Sequence, residues 1–597
     1  MNADSNTAVF SDRGDADLFP PSRSLRWWPA AILLALSVVV RFIPSWTDGS
    51  SFPLLLLGFL GASFFSSAIV LWWLFPSGAS WREKGIGIAG LAGIIALTSM
   101  TWDSSMRGMA MILWTIPVGM AAVAIPLVVA SHYPSYRVWL GLARAALGFG
   151  GWNLVRSEGV TGDFVVEFKP RWSVPAEDSY LSSRKAEMSR SQKSELDGSQ
   201  KSPSLESDNA LWPEFRGPNR DGAIAGVVVS EDWEQTPPEL LWKRAIGPGW
   251  SSFAVAENHL FTQEQIGDEE AVSCMDADTG ETLWTFAAKG RFAEEMGGIG
   301  PRATPTYHAG QIFAVGADGM VVCLDAGNGK EKWRRELKKD AERAPPTWGF
   351  SSSPLIVDDL VVVHAGGADK KGVFHYSQSD ESIRWQVASG DHSYSSPQNA
   401  TFGDVSGILM ATNEGLQFLN PKDGATIWNH EWKIATYRAV QTVVTGNTVY
   451  VASSMGNGIR KLNVSFADGA WNVETDWTSR DLKPDFNDMV SYQGALYGFD
   501  ATIFGAVSMD TGKRLWKKGR YGAGQVLLLS DSGQLLVAAE SGELVLLRAS
   551  QEKLDEVARI PAIESKTWNH PVVVKDRIYL RNSQQAACYK LPLASSP

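Results

Sequence analysis

Hydrophobic positions are distributed differently in the two parts of this 597-residue chain. The first 155 residues contain long apolar runs, whereas the remainder alternates short apolar segments with turns rich in Gly, Asp and Asn. Long runs are typical of membrane helices, and short alternating segments are typical of β-strands. The pattern therefore predicts an α-helical membrane domain followed by an all-β domain.

Five apolar runs in the first part are candidate membrane spans, since a helix needs about 20 residues to cross the bilayer core. They are Ala30–Ile43, Phe52–Phe75, Gly85–Thr101, Gly108–Ala130 and Val138–Val155. The fifth contains Arg144 and many small residues, so an interfacial helix lying on the membrane is the alternative interpretation. Pro29 interrupts any cleavable signal pattern, and we expect the helices to act as an anchor.

Basic residues indicate how these spans are oriented, because positively charged segments stay in the cytoplasm. Such residues precede span one, separate spans two and three, and separate spans four and five: Arg13, Arg23, Arg26, Arg82, Lys84 and Arg137. Five spans would place the C-terminal domain on the periplasmic side of the inner membrane, and four spans would leave it in the cytoplasm. We predict the periplasmic location.

The segment between the two domains, from Ser173 to Ala210, is rich in Ser, Lys, Glu and Gln and has few large apolar residues. Such a composition buries too little apolar surface to order a chain. We predict a cytoplasmic tail over residues 1–26, a membrane domain over 27–155, a juxtamembrane segment and flexible linker over 156–210, and the β domain over 211–597.

An eleven-residue motif recurs in the β domain. CMDADTGETLW (Cys274–Trp284) is followed by CLDAGNGKEKW (Cys323–Trp333) and by further copies ending at later tryptophans. Asp or Asn and then Gly suit a tight turn, and the tryptophan begins a fourth strand. The spacing of 39 to 52 residues matches one four-stranded propeller blade. We assign a structural role, filling the gap between blades, to Trp242, Trp284, Trp333, Trp385, Trp428, Trp477 and Trp516.

Eight blades are expected from the starts of their first strands, at Trp250, Arg302, Phe350, Tyr394, Arg438, Asp488, Gly524 and Trp568. The seventh blade lacks the tryptophan, and the eighth ends after three strands. LLWKRAI, Leu240–Ile246, is a fourth strand without the first three. We predict that it completes the eighth blade and closes the ring, which removes exposed sheet edges.

Each blade has Ala or Ser beside Pro at its start and Asp-x-x-Thr-Gly-x-x-x-Trp, or a variant, at its end. This pattern resembles the quinoprotein-type propeller of pyrroloquinoline quinone (PQQ) dehydrogenases and of the outer-membrane assembly factor BamB. Four segments are similar to uncharacterised bacterial membrane or secreted proteins with PQQ-like propellers: RSEGVTGDF (Arg156–Phe164), WPEFRGPNRDG (Trp212–Gly222), GPRATP (Gly300–Pro305) and PTWGFSSSP (Pro346–Pro354). The resemblance covers residues 156 to 592 and implies a fold, not an activity.

The resemblance implies that a dehydrogenase of this fold would bind PQQ with calcium or a lanthanide through acidic and amide ligands. Many such enzymes also have a disulfide between adjacent cysteines, which this chain lacks, since Cys274, Cys323 and Cys588 are far apart. Its histidines show no paired metal-ligand spacing. We therefore predict no cofactor and no metal, with PQQ and calcium as the alternative.

Residues just before the first strands should ring one mouth of the central channel. Aromatic, Arg and amide side chains there suit a planar or extended ligand, although they could instead cap the blades and fill the channel. Asn487 and Asp488 could contribute to a cation site, the alternative being a solvated turn. The candidate ligand-binding residues are Trp250, Arg302, Trp348, Tyr394, Arg438, Asn487, Asp488, Trp568 and His570.

The net charge of −11 argues against nucleic acid as a partner. No nucleophile elbow or phosphate-binding loop is present, and we assign no catalytic residue. The leading hypothesis is a membrane-anchored, non-catalytic binding or scaffold propeller for a protein, peptide or glycan. The alternatives are a PQQ-dependent sugar or alcohol dehydrogenase and a ligand sensor that biases the membrane helices.

Overall fold

The computed structural model describes residues 24–46, 52–163, 165–195, 210–391, 393–453 and 455–594. Most of the predicted cytoplasmic tail (residues 1–23) and residues 196–209 of the predicted linker lie outside these ranges. The chain forms two compact units. The helical unit ends at Ser157 and also includes Phe168–Arg171, and the propeller unit includes Glu158–Glu167 and the chain from Trp172 onward.

Five helices make up most of the helical unit: α1 (Trp28–Trp46), α2 (Phe52–Leu74), α3 (Trp81–Thr101), α4 (Ile116–Val129) and α5 (Pro134–Gly150). A π-helical turn, Met111–Thr115, precedes α4. Among the described residues, three segments are long and apolar enough to cross a membrane: Leu56–Leu74, Trp81–Thr101 and Met111–Val129. The apolar part of α1 is shorter, and α5 is not among the three. The first and fifth spans therefore stay predictions.

One end of the helical unit carries Arg26, Lys84 and Arg137, whereas Arg107 and Arg171 lie near the end of α3. The backbone N–H of Leu25 donates to the carbonyl of Ser131 at 3.3 Å, and that of Arg26 donates to the carbonyl of Ser77 at 2.9 Å. These contacts bring the start of α1 beside the turn after α2 and the turn after α4. Helix α1 consequently runs antiparallel to α2 and α4, and Arg26 lies beside the residues that follow these two helices.

Helix α5 spans the distance between the two ends of this unit. At the basic end, Arg137 forms a bidentate ion pair with Glu83 near the start of α3, with N–O distances of 2.7 and 2.9 Å. At the other end, the indole N–H of Trp102 donates to the carbonyl of Phe149 at 3.0 Å. Helix α5 therefore runs alongside α3 for most of its length, from the basic end to the opposite end.

The segment Ser173–Ala210, predicted to be a flexible tether, contains an ordered helix over Ala176–Glu195, which corrects that prediction for these residues. Val155–Val160 and Val166–Pro170 form a two-stranded hairpin, and Ala176–Glu195 forms helix α6. Tyr180 of α6 is buried and its hydroxyl donates to Glu264 Oε2 at 2.7 Å. The polar composition misled the prediction because this helix docks through hydrogen bonds to the propeller and not through an apolar face.

The propeller unit has eight blades, as predicted, each with four antiparallel strands, and blade 7 has a short fifth strand on its inner edge. From the axis outward, blade 1 contains Ala254–Ala256, His259–Ile266, Glu269–Asp276 and Thr282–Lys289; blade 2 contains Thr306–His308, Gln311–Val315, Met320–Asp325 and Glu331–Glu336; blade 3 contains Leu355–Val357, Leu360–His364, Val373–Ser377 and Ile383–Val387; and blade 4 contains Gln398–Phe402, Val405–Thr412, Gly415–Leu419 and Thr426–Glu431.

Blades 5 to 8 follow the same order. Blade 5 contains Val443–Thr445, Thr448–Ser453, Gly458–Ala467 and Ala470–Ser479; blade 6 contains Val490–Tyr492, Ala495–Asp500, Ile503–Ser508 and Arg514–Arg520; blade 7 contains Gln525–Leu529, Gln534–Ala538, Glu543–Arg548 and Asp555–Pro561; and blade 8 contains Val572–Val574, Arg577–Arg581, Gln585–Lys590 and Glu239–Ala245. Ala223–Ile224 pairs in parallel with Gln525–Leu529 at the inner edge of blade 7. Short elements outside the blades are Ala293–Glu294, Gly298–Ile299 and helix α7, Leu337–Asp340.

The ring closes as the sequence predicts. Glu239–Ala245, which precedes blade 1 in the chain, pairs antiparallel with Gln585–Lys590 as the outer strand of blade 8. Trp242 lies directly opposite Cys588 in this pairing. Joining the two chain ends in one sheet leaves no open edge between the first and last blades.

The repeated tryptophan joins six of the blades to the next one by a hydrogen bond. The indole N–H of Trp242 donates to the carbonyl of Ala277 in blade 1 at 3.0 Å. Its ring also covers Gly280, where a Cβ atom would lie 2.7 Å from the indole. The glycine of the recurring turn is therefore required both by its backbone φ of 74° and by the tryptophan of the neighbouring blade. Equivalent indole donations come from Trp284, Trp333, Trp385, Trp477 and Trp516.

Candidate functional site

A ring of hydrogen bonds joins the blades at the start of their inner strands. The backbone N–H of Ser252 donates to Thr304 Oγ1 at 3.0 Å, that of Thr304 to Ser353 Oγ at 2.9 Å, and that of Ser353 to Ser396 Oγ at 2.9 Å. Each bond passes from one blade to the next. The small hydroxyl residue beside Pro at the start of a blade is therefore a link between blades.

The same ring continues through blades 6 to 8 with longer side chains. The backbone N–H of Asp488 donates to Gln525 Oε1 at 3.1 Å, and Gln525 Nε2 donates to the carbonyl of Trp568 at 3.1 Å. Asn569 Nδ2 then donates to the carbonyl of Ser251 in blade 1 at 2.7 Å. Several residues that the sequence suggested as ligand contacts thus hold neighbouring blades together.

The central channel is filled by the segment Trp212–Gly222, which we call the axial segment. Backbone hydrogen bonds join Trp212 to Val255 in the inner strand of blade 1. Arg220 is buried and donates to the carbonyl of Pro397 at 2.7 Å and to Glu214. The axial segment contacts the inner strands of blades 1, 2 and 7. In blades 3, 4, 6 and 8 it contacts the residues that precede the inner strand.

Asp488 is the centre of a buried polar cluster on this axis. His570 Nε2 lies 2.9 Å and Arg216 Nε lies 3.6 Å from Asp488 Oδ2. The other oxygen, Oδ1, accepts the backbone N–H of Gln441 at 2.5 Å. Burial opposes ionisation, but Arg216 and His570 hold the pKa of Asp488 below its ordinary value. Burial lowers the pKa of His570, because it disfavours the charged imidazolium.

These axial residues do not fit a quinone with a calcium ion. Calcium takes six to eight oxygen ligands, and carboxylates usually supply several of them. Asp488 already has a cationic partner, a histidine and a backbone donor, and the described residues contain no group of three or more His, Cys, Asp or Glu able to hold a metal. The neighbouring Asn487 donates to the carbonyl of Gly524 at 2.6 Å.

Three aromatic side chains form a cluster at the ends of blades 3, 4 and 5, which we call the aromatic triplet. Ring centroids of Trp348 lie 5.4 Å from Tyr394 and 4.4 Å from Tyr437, and the two tyrosines are 5.3 Å apart. The hydroxyl of Tyr437 donates to Asp485 Oδ1 at 3.2 Å. Trp348 is half-buried. Tyr394 and Tyr437 are buried, and burial raises the pKa of Tyr394 to about 12. Only Trp348 therefore offers much surface to a ligand.

Arg438 is fully buried beside this triplet and does not line the mouth. Its guanidinium donates to the carbonyl of Trp432 at 2.5 Å and to that of Thr412, and it lies 4.9 Å from the Trp432 ring centroid. Burial lowers the pKa of Arg438 to about 10. This arginine fastens the loop that follows blade 4.

A second aromatic cluster lies across the ring, on blades 1 and 8. The rings of Trp250 and Trp568 have centroids 4.9 Å apart, and Lys566 Nζ lies 4.2 Å from the Trp568 ring. Burial lowers the pKa of Lys566 to about 8. Arg302, close by, pairs with Glu294 at 3.0 Å. The predicted ring is therefore split into the aromatic triplet and this Lys566 cluster.

The tip of the juxtamembrane hairpin covers the Lys566 cluster. The backbone N–H of Gly162 donates to Glu540 Oε1 at 2.6 Å, and the same oxygen accepts the indole N–H of Trp568 at 2.7 Å. Lys566 Nζ donates to the carbonyl of Val160 at 3.0 Å. Sequence reasoning missed Glu540 and Lys566 because neither belongs to a motif that recurs among the blades. The motif RSEGVTGDF, in the hairpin that contacts them, was the signal that could have indicated this site.

Comparisons with known proteins agree with the repeats. A family profile described as "Outer membrane protein assembly factor BamB" matches residues 230–369. The chain is 24% identical over 227 residues to BamB of Yersinia pestis, an alignment that covers 36% of this chain and 56% of that protein.

Solved structures are also similar. BamB from Moraxella catarrhalis is 16% identical with a TM-score of 0.44, covering 59% of this chain and all of that one. Quinohemoprotein alcohol dehydrogenase from Comamonas testosteroni is 11% identical with a TM-score of 0.46, covering 66% and 82% of the two chains.

The repeats, the eight blades and the closing strand define an eight-bladed β-propeller, part of which matches the BamB family profile. The chain is similar in sequence to BamB over 227 residues, and its described part also has an N-terminal helical unit with three segments apolar enough to span a membrane.

Proposed function

We propose that the protein is a membrane-held, non-catalytic binding or scaffold propeller presented outside the cytoplasm. The observation that carries this proposal is the filled axis: the axial segment occupies the channel, and Arg216 and His570 engage Asp488. A dehydrogenase of this architecture would need that space for its cofactor and substrate. Binding is then left to the outer surfaces and to the half-buried Trp348.

The proposed sidedness rests on the helical unit. Arg26, Lys84 and Arg137 belong to the end at which α1, α3 and α5 begin. Arg107 and Arg171 lie near the end of α3, but the segment before α1 and the first turns of α3 and α5 together carry more basic residues. The more positive side of a membrane protein stays in the cytoplasm. Because α5 runs from this end to the opposite one, the chain that follows it would leave on the extracytoplasmic side of the inner membrane.

A polypeptide is the partner we propose for the propeller, since the related BamB proteins are named assembly factors for outer-membrane proteins. Blade 5 offers an exposed feature for such contacts. Its outer two strands continue four residue pairs beyond the pairing of Thr448 with Asn463. Phe466 and Trp471 face each other near the tip, where Phe466 is 60% exposed. Exposed aromatic side chains are frequent anchors of protein interfaces.

The first experiment measures PQQ and calcium binding to the full chain in lipid nanodiscs, by absorbance and by dye reduction with alcohols and aldoses. We expect neither saturable binding nor turnover. Saturable binding with turnover would reject the scaffold proposal. Asp488→Ala would then be tested for loss of that binding.

A second experiment compares two positions of a photo-crosslinking residue in the native membrane. We expect position 466 to crosslink a polypeptide, and Trp348→Ala to leave that product unchanged. A product at position 348 that competing glycan or peptide removes, with none at 466, would favour a ligand bound at the mouth.

A ligand sensor is the second candidate, and one contact favours it. The hairpin that follows the membrane helices reaches the mouth, where Asp163 accepts a hydrogen bond from Thr502 at 2.7 Å and Gly162 binds Glu540. A ligand that displaced this hairpin would alter the chain next to the membrane helices. Ligand-dependent protease sensitivity of residues 158–167 would support this candidate.

A further inference from the structure

Helix α5 carries a charged residue on an exposed face. Arg144 is exposed, and so are Leu140, Ala143 and Leu147 on the same side of the helix. The opposite side is buried: Gly141 approaches Leu127 of α4, and a Cβ atom at Gly148 would lie 2.6 Å from the Cβ of Ala122. Packing therefore fixes which side of α5 faces outward, and Arg144 cannot turn into the helical unit.

The depth of Arg144 is unfavourable for a charge. It lies six residues before the end of α5 at Gly150, or about 9 Å at 1.5 Å per residue. Side chains on a helix point toward its N-terminus, which is away from this nearer end. Arg144 therefore has no short path to the membrane surface. A guanidinium in that position against lipid is costly, and such residues normally face a polar partner.

The described part of the helical unit provides no such partner. Its acidic residues between α1 and α5 are Glu83, which pairs with Arg137, and Asp103, which accepts hydrogen bonds from Ser105. Glu83 lies at the opposite end, near the start of α3. The described residues of a second copy would lie at the same depths, so they would bring no carboxylate beside Arg144.

We propose that the face of α5 formed by Leu140, Ala143, Arg144 and Leu147 docks a transmembrane helix of a different protein, one that carries a carboxylate at the depth of Arg144. The small side chain of Ala143 allows close approach of such a helix, and the ion pair removes the uncompensated charge from lipid. This inference rests on the proposed topology, in which α5 crosses the membrane.

The probe is a Leu-rich transmembrane peptide with one Glu six residues from its outer end, compared with the same peptide carrying Leu there. Association with the full chain in liposomes is measured by fluorescence energy transfer. We expect the Glu peptide to bind about tenfold more tightly than the Leu peptide, the size that one polar contact between membrane helices provides. Arg144→Leu should abolish the preference, and Arg144→Glu should shift it to a Lys peptide.

Leu97→Ala, at an exposed position of α3, is the matched control and should leave the preference intact. Equal binding of the Glu and Leu peptides would overturn the proposal. So would energy transfer between two labelled copies of the chain that excludes the Glu peptide, because a second copy would then cover this face.

The crossing of the membrane by α5 is measured in a separate experiment, so that a wrong topology can be distinguished from a failure of helix docking at Arg144. The native cysteines in the described residues are buried, and Ser183 is exposed on α6. Ser183→Cys should react with a membrane-impermeant maleimide added from the periplasmic side. Labelling only from the cytoplasmic side would reject the crossing of α5, and both proposals that depend on it would fail together.

Discussion

The backbone N–H of Gly162 lies 2.6 Å from Glu540 Oε1, so the tip of the hairpin is held against blade 7 of the propeller. Glu540 also holds Trp568 and, through its second oxygen, the backbone N–H of Ala523 at 3.0 Å. A single carboxylate thus joins the hairpin tip to two blades. Hydrogen bonds to a carboxylate are among the stronger ones in proteins.

Gly162→Ala should release the hairpin from the mouth. A Cβ atom at this position would lie 2.6 Å from the Cβ of Ala523, which is too close for two carbon atoms. We expect faster amide hydrogen exchange over residues 158–166 and unchanged exchange in the blades. Gly151→Ala is the control, because a Cβ there meets nothing within 4 Å. Unaltered exchange in Gly162→Ala would show that the hairpin tolerates the clash in place.

Glu270 should make the stability of the propeller depend on pH. It is buried, and burial raises its pKa to about 7, although the backbone N–H of Asp318 donates to it at 3.1 Å. The folded state therefore keeps a proton that the unfolded chain loses near pH 4.5. The contribution of Glu270 to the free energy of unfolding is fully present below pH 4.5 and is lost as the pH rises through 7.

Glu270→Gln should remove the fall in stability that the ionisation of Glu270 causes as the pH rises through 7. We expect a higher melting temperature than the parent protein at pH 8 and a smaller difference at pH 4.5, measured by thermal unfolding. Glu269→Gln, at the exposed neighbouring position, is the control. An equal effect at both pH values would mean that Glu270 does not titrate in this range.

Gly280→Ala should destabilise the contact between blades 8 and 1. Gly280 has φ of 74° and lies under Trp242, whereas Gly226 has φ of 80° and open space around it. Both substitutions strain the backbone, but only the first creates a clash. We expect Gly280→Ala to lower the free energy of unfolding by about 1 to 3 kcal/mol more than Gly226→Ala does. Similar losses for both would mean that the indole moves aside without cost.

Asp488→Asn should weaken the axis. The change leaves Arg216 buried beside a neutral side chain, and removing one partner of a buried pair typically costs about 3 to 5 kcal/mol. The double variant Arg216→Met with Asp488→Asn should recover part of that loss, which chemical unfolding would show. No recovery would indicate that Asp488 acts mainly through His570 and Gln441.

Much of the fold could be predicted from the sequence because its signals are local. The turn of Asp, Thr and Gly before each tryptophan marks a blade, and the unpaired strand at Leu240–Ile246 indicates how the ring closes. The linker was predicted less well. Tyr180 docks helix α6 through Glu264, which lies 84 residues away in the chain, and composition carries no information about that partner.

The candidate site shows the same division. The sequence by itself determined which residues precede the inner strands, since blade starts recur at a regular spacing. Only the tertiary structure decided their roles: Asp488 and His570 are buried against the axial segment, Arg438 turns to Trp432, and Trp348 stays partly exposed. The physical reason is that burial and pairing depend on segments far apart in the chain, whereas strands and turns depend on neighbouring residues.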